Sequence, residues 1–122
     1  MAENRDYTFK RGDTCVFDKF RMTFNGEPIE LSDKDQIFFT MKESYDDKTM
    51  INVKKKIGDG IYLKDDGYYH LVMRPEDTEE LPCGKYVYDI QFTHMSPVRY
   101  VKTIIEGTVR ITKEITRRED EY

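Results

Sequence analysis

Tryptophan is absent from these 122 residues, and cysteine, histidine and proline are scarce, at 2, 2 and 4 copies. Two cysteines, Cys15 and Cys83, are too far apart in sequence for a CxxC pair, so a His2Cys2 zinc site would need both to converge with both histidines. They read as reduced thiols, since a bridge would need their Cα atoms within about 7 Å. The two histidines, His70 and His94, stand in no spacing that suggests a metal or a catalytic triad. No apolar run approaches the ~20 residues of a membrane span. Met1-Ala2-Glu3-Asn4-Arg5-Asp6 lacks the apolar core of a secretion signal, so the expected location is the cytosol of the producing cell. Neither sign of charge dominates: 20 basic and 24 acidic residues interleave to a net charge of -4. Neither a basic stripe nor aromatics set among Lys and Arg appear along the chain, which points away from nucleic acid as a partner.

Aromatics are what the chain does have. Nine Tyr and 7 Phe are more than a disordered polar segment carries, and the length suits one domain with a real core. The clearest pattern lies in Leu81-Pro82-Cys83-Gly84-Lys85-Tyr86-Val87-Tyr88-Asp89-Ile90-Gln91-Phe92. Tyr86, Tyr88, Ile90 and Phe92 fall on one face of a two-residue period, which is that of a half-buried strand. Before it, Arg74-Pro75-Glu76-Asp77-Thr78-Glu79-Glu80 sets Pro ahead of a run of acids, as the first turn of a helix favours. A helical turn crossing into a strand whose first inward residue is Tyr resembles the tyrosine corner of an immunoglobulin-like sandwich. The hydroxyl of Tyr86 is then expected to bond back to the turn.

In chain order, Tyr7-Thr8-Phe9-Lys10 reads as a first strand and Arg11-Gly12-Asp13 as a tight turn rather than an integrin-binding motif. A second strand runs from Thr14 to about Phe24. Its inward set changes phase near Asp18-Lys19, which predicts a bulge. Asn25-Gly26 turns, and Ile29 and Leu31 point inward from an extended link. Ile37, Phe39 and Met41 mark the next strand, followed by a polar loop over 43–48. Residues 50–57 form a strand in which Lys54-Lys55-Lys56 reads as a solvated or edge stretch. Gly58-Asp59-Gly60 and Asp65-Asp66-Gly67 turn into two more strands, over 61–63 and 68–73. After the strand from Tyr86, His94-Met95-Ser96-Pro97 caps a hairpin. A last strand over 100–112 carries Val101, Thr103, Ile105, Val109 and Ile111 in phase, with a bulge or bend expected at Gly107. The fold expectation is therefore all-β: an immunoglobulin-like antiparallel β-sandwich of roughly seven to eight strands, with one short helical turn before the penultimate strand. The sandwich spans 1–112, and 113–122 is a charged C-terminal tail.

Groups for chemistry are few. The aspartates of the turns, Asp33, Asp35, Asp46, Asp47, Asp65 and Asp66, follow no EF-hand spacing. The glycines of the Gly58 loop precede a strand rather than the helix that a phosphate cradle needs. The acids over 76–80 suit an exposed helical turn in water better than a glycosidase pair. No catalytic, cofactor-binding or metal-binding residue is predicted, and the chain reads as a non-enzyme. Surface binding remains, through sheet edges or through an outward strip drawn from Tyr62, Tyr68, Tyr88 and Tyr100 that could take a glycan.

Several motifs share an order with a known group. Arg11-Gly12-Asp13-Thr14, Asn25-Gly26-Glu27-Pro28-Ile29-Glu30-Leu31-Ser32, Ile37-Phe38-Phe39-Thr40-Met41-Lys42, the stretch over 81–90 and Thr103-Ile104-Ile105-Glu106-Gly107-Thr108-Val109-Arg110-Ile111-Thr112 occur in sequence. Together they resemble small immunoglobulin-like domains encoded by phages and prophages of Gram-positive bacteria, most nearly the N-terminal domain of phage baseplate upper proteins. The likeness covers residues 7–112. It implies a virion part without enzymatic activity, made in the host cytoplasm and then carried in the particle. Its partners would be other virion proteins or copies of itself. The baseplate pattern continues into a distal module, whereas this sequence stops at Tyr122. A tail, neck or head accessory protein is the expectation that follows, with a carbohydrate-binding module as the alternative.

Overall fold

The computed structural model describes residues 2–24, 26–28, 31–46, 48–95 and 97–115. Its strands are β1 (Glu3–Asn4), β2 (Tyr7–Lys10), β3 (Cys15–Phe20), β4 (Thr23–Phe24), β5 (Glu27–Pro28), β6 (Asp35–Lys42), β7 (Ile51–Ile57), β8 (Gly60–Leu63), β9 (Tyr69–Met73), β10 (Gly84–His94) and β11 (Tyr100–Thr112). A helical turn, α1 (Pro75–Thr78), joins β9 to β10. Among the described residues nine strands make one sheet in the order β1, β11, β10, β6, β7, β8, β9, β3, with β2 also on β11, while β4 and β5 form a separate ribbon. The sheet curls until its far end meets its middle: the Phe17 ring of β3 lies 5.5 Å from Phe39 of β6 and 5.1 Å from Tyr88 of β10, centroid to centroid. Between these layers Ile37, Met41, Leu71, Met73, Tyr86, Ile90, Val109 and Ile111 are buried.

All-β is how the chain is built, but the sheet is mixed where an antiparallel one was expected, and it has more strands. β1 and β2 run parallel to β11, and β7 runs parallel to β8. Two local causes account for this. The chain enters beside its own last strand and in the same direction. At Gly58-Asp59 it steps one strand sideways without reversing, held by Lys56 N donating to Asp59 O at 3.0 Å and Gly58 N to Ile61 O at 2.9 Å.

The entry strand breaks between β1 and β2, where Gly107 receives it. A Cβ at Gly107 would stand 2.1 Å from the Arg5 carbonyl oxygen, so only glycine admits this approach. Tyr88, opposite Gly107 in the β10–β11 register, reaches across the gap and donates its hydroxyl to Arg5 O at 2.6 Å. Asp6 Oδ1 accepts from Thr108 N at 2.9 Å on the far side of the break. Gly107 is therefore a docking notch. The bulge expected there lies instead at Ile104, which the register skips between Ile90/Ile105 and Gln91/Thr103.

The corner at Tyr86 is present. Its ring is buried and its hydroxyl donates to Pro82 O at 2.6 Å. α1 begins with Pro75, and Asp77 Oδ2 accepts from Arg74 N at 2.7 Å. The same oxygen accepts from Lys55 Nζ at 2.6 Å, and the Lys55 side chain is only 5% exposed. This corrects two expectations: Lys55 is buried while Lys54 and Lys56 are exposed, and Asp77 is an ion-pair partner rather than a solvated acid. Gly60 makes room for the lysine, because a Cβ there would fall 2.2 Å from Lys55 Cδ.

Smaller differences follow the same logic. β3 stops at Phe20, and its bulge lies between Val16 and Asp18, one residue earlier than the phase change suggested, so that Phe17 and Asp18 both turn inward. Leu31 packs on the core. Asn25, Ile29, Asp47 and Ser96 lie outside the described residues, as does most of the expected tail, residues 116–122. The beginning of that tail is tied down: Glu114 accepts from Arg11 at 2.8 and 3.1 Å, and Arg11 also donates to Leu81 O at 3.2 Å. Arg11 of the Arg-Gly-Asp turn is thereby committed to the fold.

Candidate functional site

The β10–β11 hairpin ends in an apolar tip. Met95, Val98, Tyr100 and Val101 are 55%, 74%, 53% and 41% exposed, an unusual density of large hydrophobic groups within seven positions. The strands below hold this tip in place. His94 Nδ1 lies 2.6 Å from Asp35 Oδ1, Met95 N donates to Lys34 O at 2.8 Å, and the Tyr100 ring leans on Phe92 with centroids 6.4 Å apart. The hydrogen bond to His94 lowers the Asp35 pKa, so the carboxylate is retained as acceptor. At the opposite end of the same strands, past the Val87/Lys42 pair, Tyr45, Met50 and Ile51 are also exposed. The long half of the sheet thus carries apolar groups at both ends.

The outer tyrosines do not form the open strip expected for a glycan. Tyr88 is buried. Tyr68 lies beneath Lys19 and Arg21, whose Nζ and Cζ stand 5.2 and 4.6 Å from the ring centroid, and its hydroxyl accepts from Arg21 at 2.9 Å. Tyr62 has Lys64 Nζ at 5.5 Å and accepts from Arg74 at 2.7 Å. Tyr100 remains exposed, as part of the hairpin tip.

The titratable groups fall into separate sites. His70 Nε2 is 2.9 Å from Asp66, far along the chain from the His94 pair. Asp89 and Glu106 are cross-strand neighbours beside a shallow cleft of about 270 Å³ that Thr40, Lys42 and Tyr45 also line. Burial raises the Asp89 pKa, and the Glu106 charge pushes the same way. Asp18 is buried with Oδ1 bonded to Arg5 at 2.7 Å, while its Oδ2 finds no well-aligned donor among the described residues. Its pKa is raised because burial outweighs the Arg5 charge. Cys15 and Cys83 are both free thiols. Among the described residues no three His, Cys, Asp or Glu side chains gather to hold a metal ion, and no helix is long and apolar enough to cross a membrane.

No protein-family model matches this chain, and no curated protein does. Sequence reasoning found the hairpin but missed its tip, although Met95, Val98, Tyr100 and Val101 are legible as an apolar run interrupted only by short polar steps. It missed the cations over Tyr62 and Tyr68 because Arg21 and Tyr68 are 47 residues apart.

Proposed function

We propose that this chain is a non-enzymatic structural protein of a phage or prophage particle, an immunoglobulin-like domain that works through protein contacts. The apolar hairpin tip is the observation that supports the protein-contact part of the reading, and the particle assignment rests on the motif order that resembles phage immunoglobulin-like domains. Exposed hydrophobic groups on a rigid hairpin are costly in water and useful when another protein covers them. Because the tip and the Tyr45, Met50 and Ile51 group sit at opposite ends of the same strands, one copy can dock head to tail on the next. Such a heterologous contact closes into a ring or extends as a filament, both common in particle assembly.

The immunoglobulin-like part of the reading is supported by topology. β3, β9 and β8 stand in the order of strands B, E and D, and β6, β10 and β11 in the order of C, F and G. Tyr86 stands near the start of the F equivalent and bonds back to Pro82 ahead of it, where that fold places its tyrosine corner. A glycan-binding module draws less support, since Tyr88 is buried and cations cover Tyr62 and Tyr68.

Peptide mass spectrometry on particles banded in a density gradient from the source host tests the assignment. The chain should appear in the particle band at constant ratio to the major structural proteins. Its confinement to the soluble fraction would overturn the assignment.

A further inference from the structure

We propose that the outer face of β3, β9 and β8 binds single-stranded nucleic acid. The sequence offers no basic stripe, but folding builds one. Lys19 of β3 pairs laterally with His70 of β9, which pairs with Tyr62 of β8. Arg21 and Tyr68 extend this row at one end, where Lys64 follows β8, and Arg74 extends it at the other. The face is about 10 Å across and about 20 Å long, from the strand spacing and the rise per residue.

Four side-chain cations, Lys19, Arg21, Lys64 and Arg74, are exposed there, and none forms an ion pair among the described residues. Asp65 and Asp66 follow Lys64 in the turn beside this face; Asp66 accepts from Tyr68 N at 2.9 Å, contacts His70 and lies within reach of the Lys19 charge. Each tyrosine holds its cations through the ring face and the hydroxyl, so the positive groups are pre-positioned rather than free to wander. A chain whose net charge is -4 has no need of such a patch for solubility.

The chemistry selects the ligand. Fixed cations at intervals along a strand direction suit a polymer of phosphates. The Arg21 guanidinium, held over the Tyr68 ring, offers a plane on which an unstacked base can lie, a group that a protein carboxylate surface does not present. The face's length of about 20 Å leaves room for roughly four phosphates. Duplex DNA presents its bases only at groove edges and gains nothing from the tyrosines.

Fluorescence anisotropy with a dye-labelled oligothymidylate of about twelve nucleotides, within the usual site size, tests this on the full chain. With four phosphate contacts, affinity should fall roughly 50-fold between about 50 and 200 mM salt. The double variant Arg21→Glu/Lys64→Glu should lose at least tenfold at the lower salt. Tyr62→Leu/Tyr68→Leu, which keeps every cation, should lose at least fivefold. Lys54→Glu/Lys56→Glu, with both changes on the other half of the sheet, should stay within twofold. Circular dichroism confirms that each variant is folded. Absence of binding at the lower salt, equal losses in the Lys54/Lys56 control, or equal competition by a polyglutamate of matched charge would each overturn the proposal, the last in favour of an acidic protein partner.

Discussion

Two pairs of tyrosines do opposite work in this molecule. Tyr86 and Tyr88 point inward from one strand, and each donates its hydroxyl to a main-chain carbonyl at 2.6 Å, one at Pro82 and the other at Arg5. Tyr62 and Tyr68 point outward from the other half, and their hydroxyls accept from arginines at 2.7 and 2.9 Å. The inner pair closes the fold, because each hydroxyl supplies a donor to a part-buried carbonyl that would otherwise go unpaired. The outer pair arranges charge on a surface that water already satisfies. Composition counts these residues alike; only the direction of the side chain separates them.

Mutation should widen that contrast. Tyr86→Ala should lower unfolding free energy by about 3 to 5 kcal/mol, as for other buried aromatic truncations, while Tyr68→Ala should cost under about 1 kcal/mol. Urea denaturation of both proteins checks this, and equal losses would erase the distinction. Gly107→Ala comes next, at about 1 to 3 kcal/mol, because its Cβ must push the Arg5 backbone off β11. Hydrogen exchange should locate the damage, with the Arg5 amide losing protection while amides of β6 keep theirs. Removing hydroxyls alone is gentler: Tyr86→Phe and Tyr88→Phe should each cost about 1 kcal/mol, and Tyr62→Phe and Tyr68→Phe less than about 0.5 kcal/mol.

The smallest effect is one of pH, beside the Tyr88 latch. The folded Asp18 carboxyl has a raised pKa, so between its unfolded value, about 3.9, and its folded value the native state binds the extra proton. Stability from this group therefore falls as pH rises through that window. Asp35, lowered by His94, acts in the opposite sense: its contribution is present above the unfolded value and is lost as pH falls through the folded one. Urea midpoints across the acid range should show Asp18→Asn less sensitive to rising pH than the parent, and Asp35→Asn less sensitive to falling pH. An unchanged profile for Asp18→Asn would remove the buried-charge explanation.

Local signals were readable and distant ones were not. The alternation from Tyr86 to Ile90, the Pro75 turn and the Tyr86 corner each lie within a few residues, so period and turn chemistry expose them. The bulge in β3 was visible as a phase change. Lys55 with Asp77, Tyr88 with Arg5 and Arg21 with Tyr68 join positions 22, 83 and 47 apart. Nothing in the period of either partner announces such a pairing. Gly107 illustrates the limit: a glycine in a strand signals a close approach or a bulge, and which of the two depends on an entry strand at the other end of the chain. The apolar tip was legible residue by residue, but its exposure follows from the turn past the His94–Asp35 pair and from β11 starting ahead of Ile105, where β1 pairs with it.

The most direct measurement is multi-angle light scattering across a concentration series, on the parent and on Val98→Asp. The parent should show a mass that rises with concentration toward a defined or extending oligomer, and Val98→Asp should remain a monomer with an unchanged melting temperature. A parent that stays monomeric throughout the series, or an oligomer that Val98→Asp leaves intact, would contradict assembly through the hairpin tip.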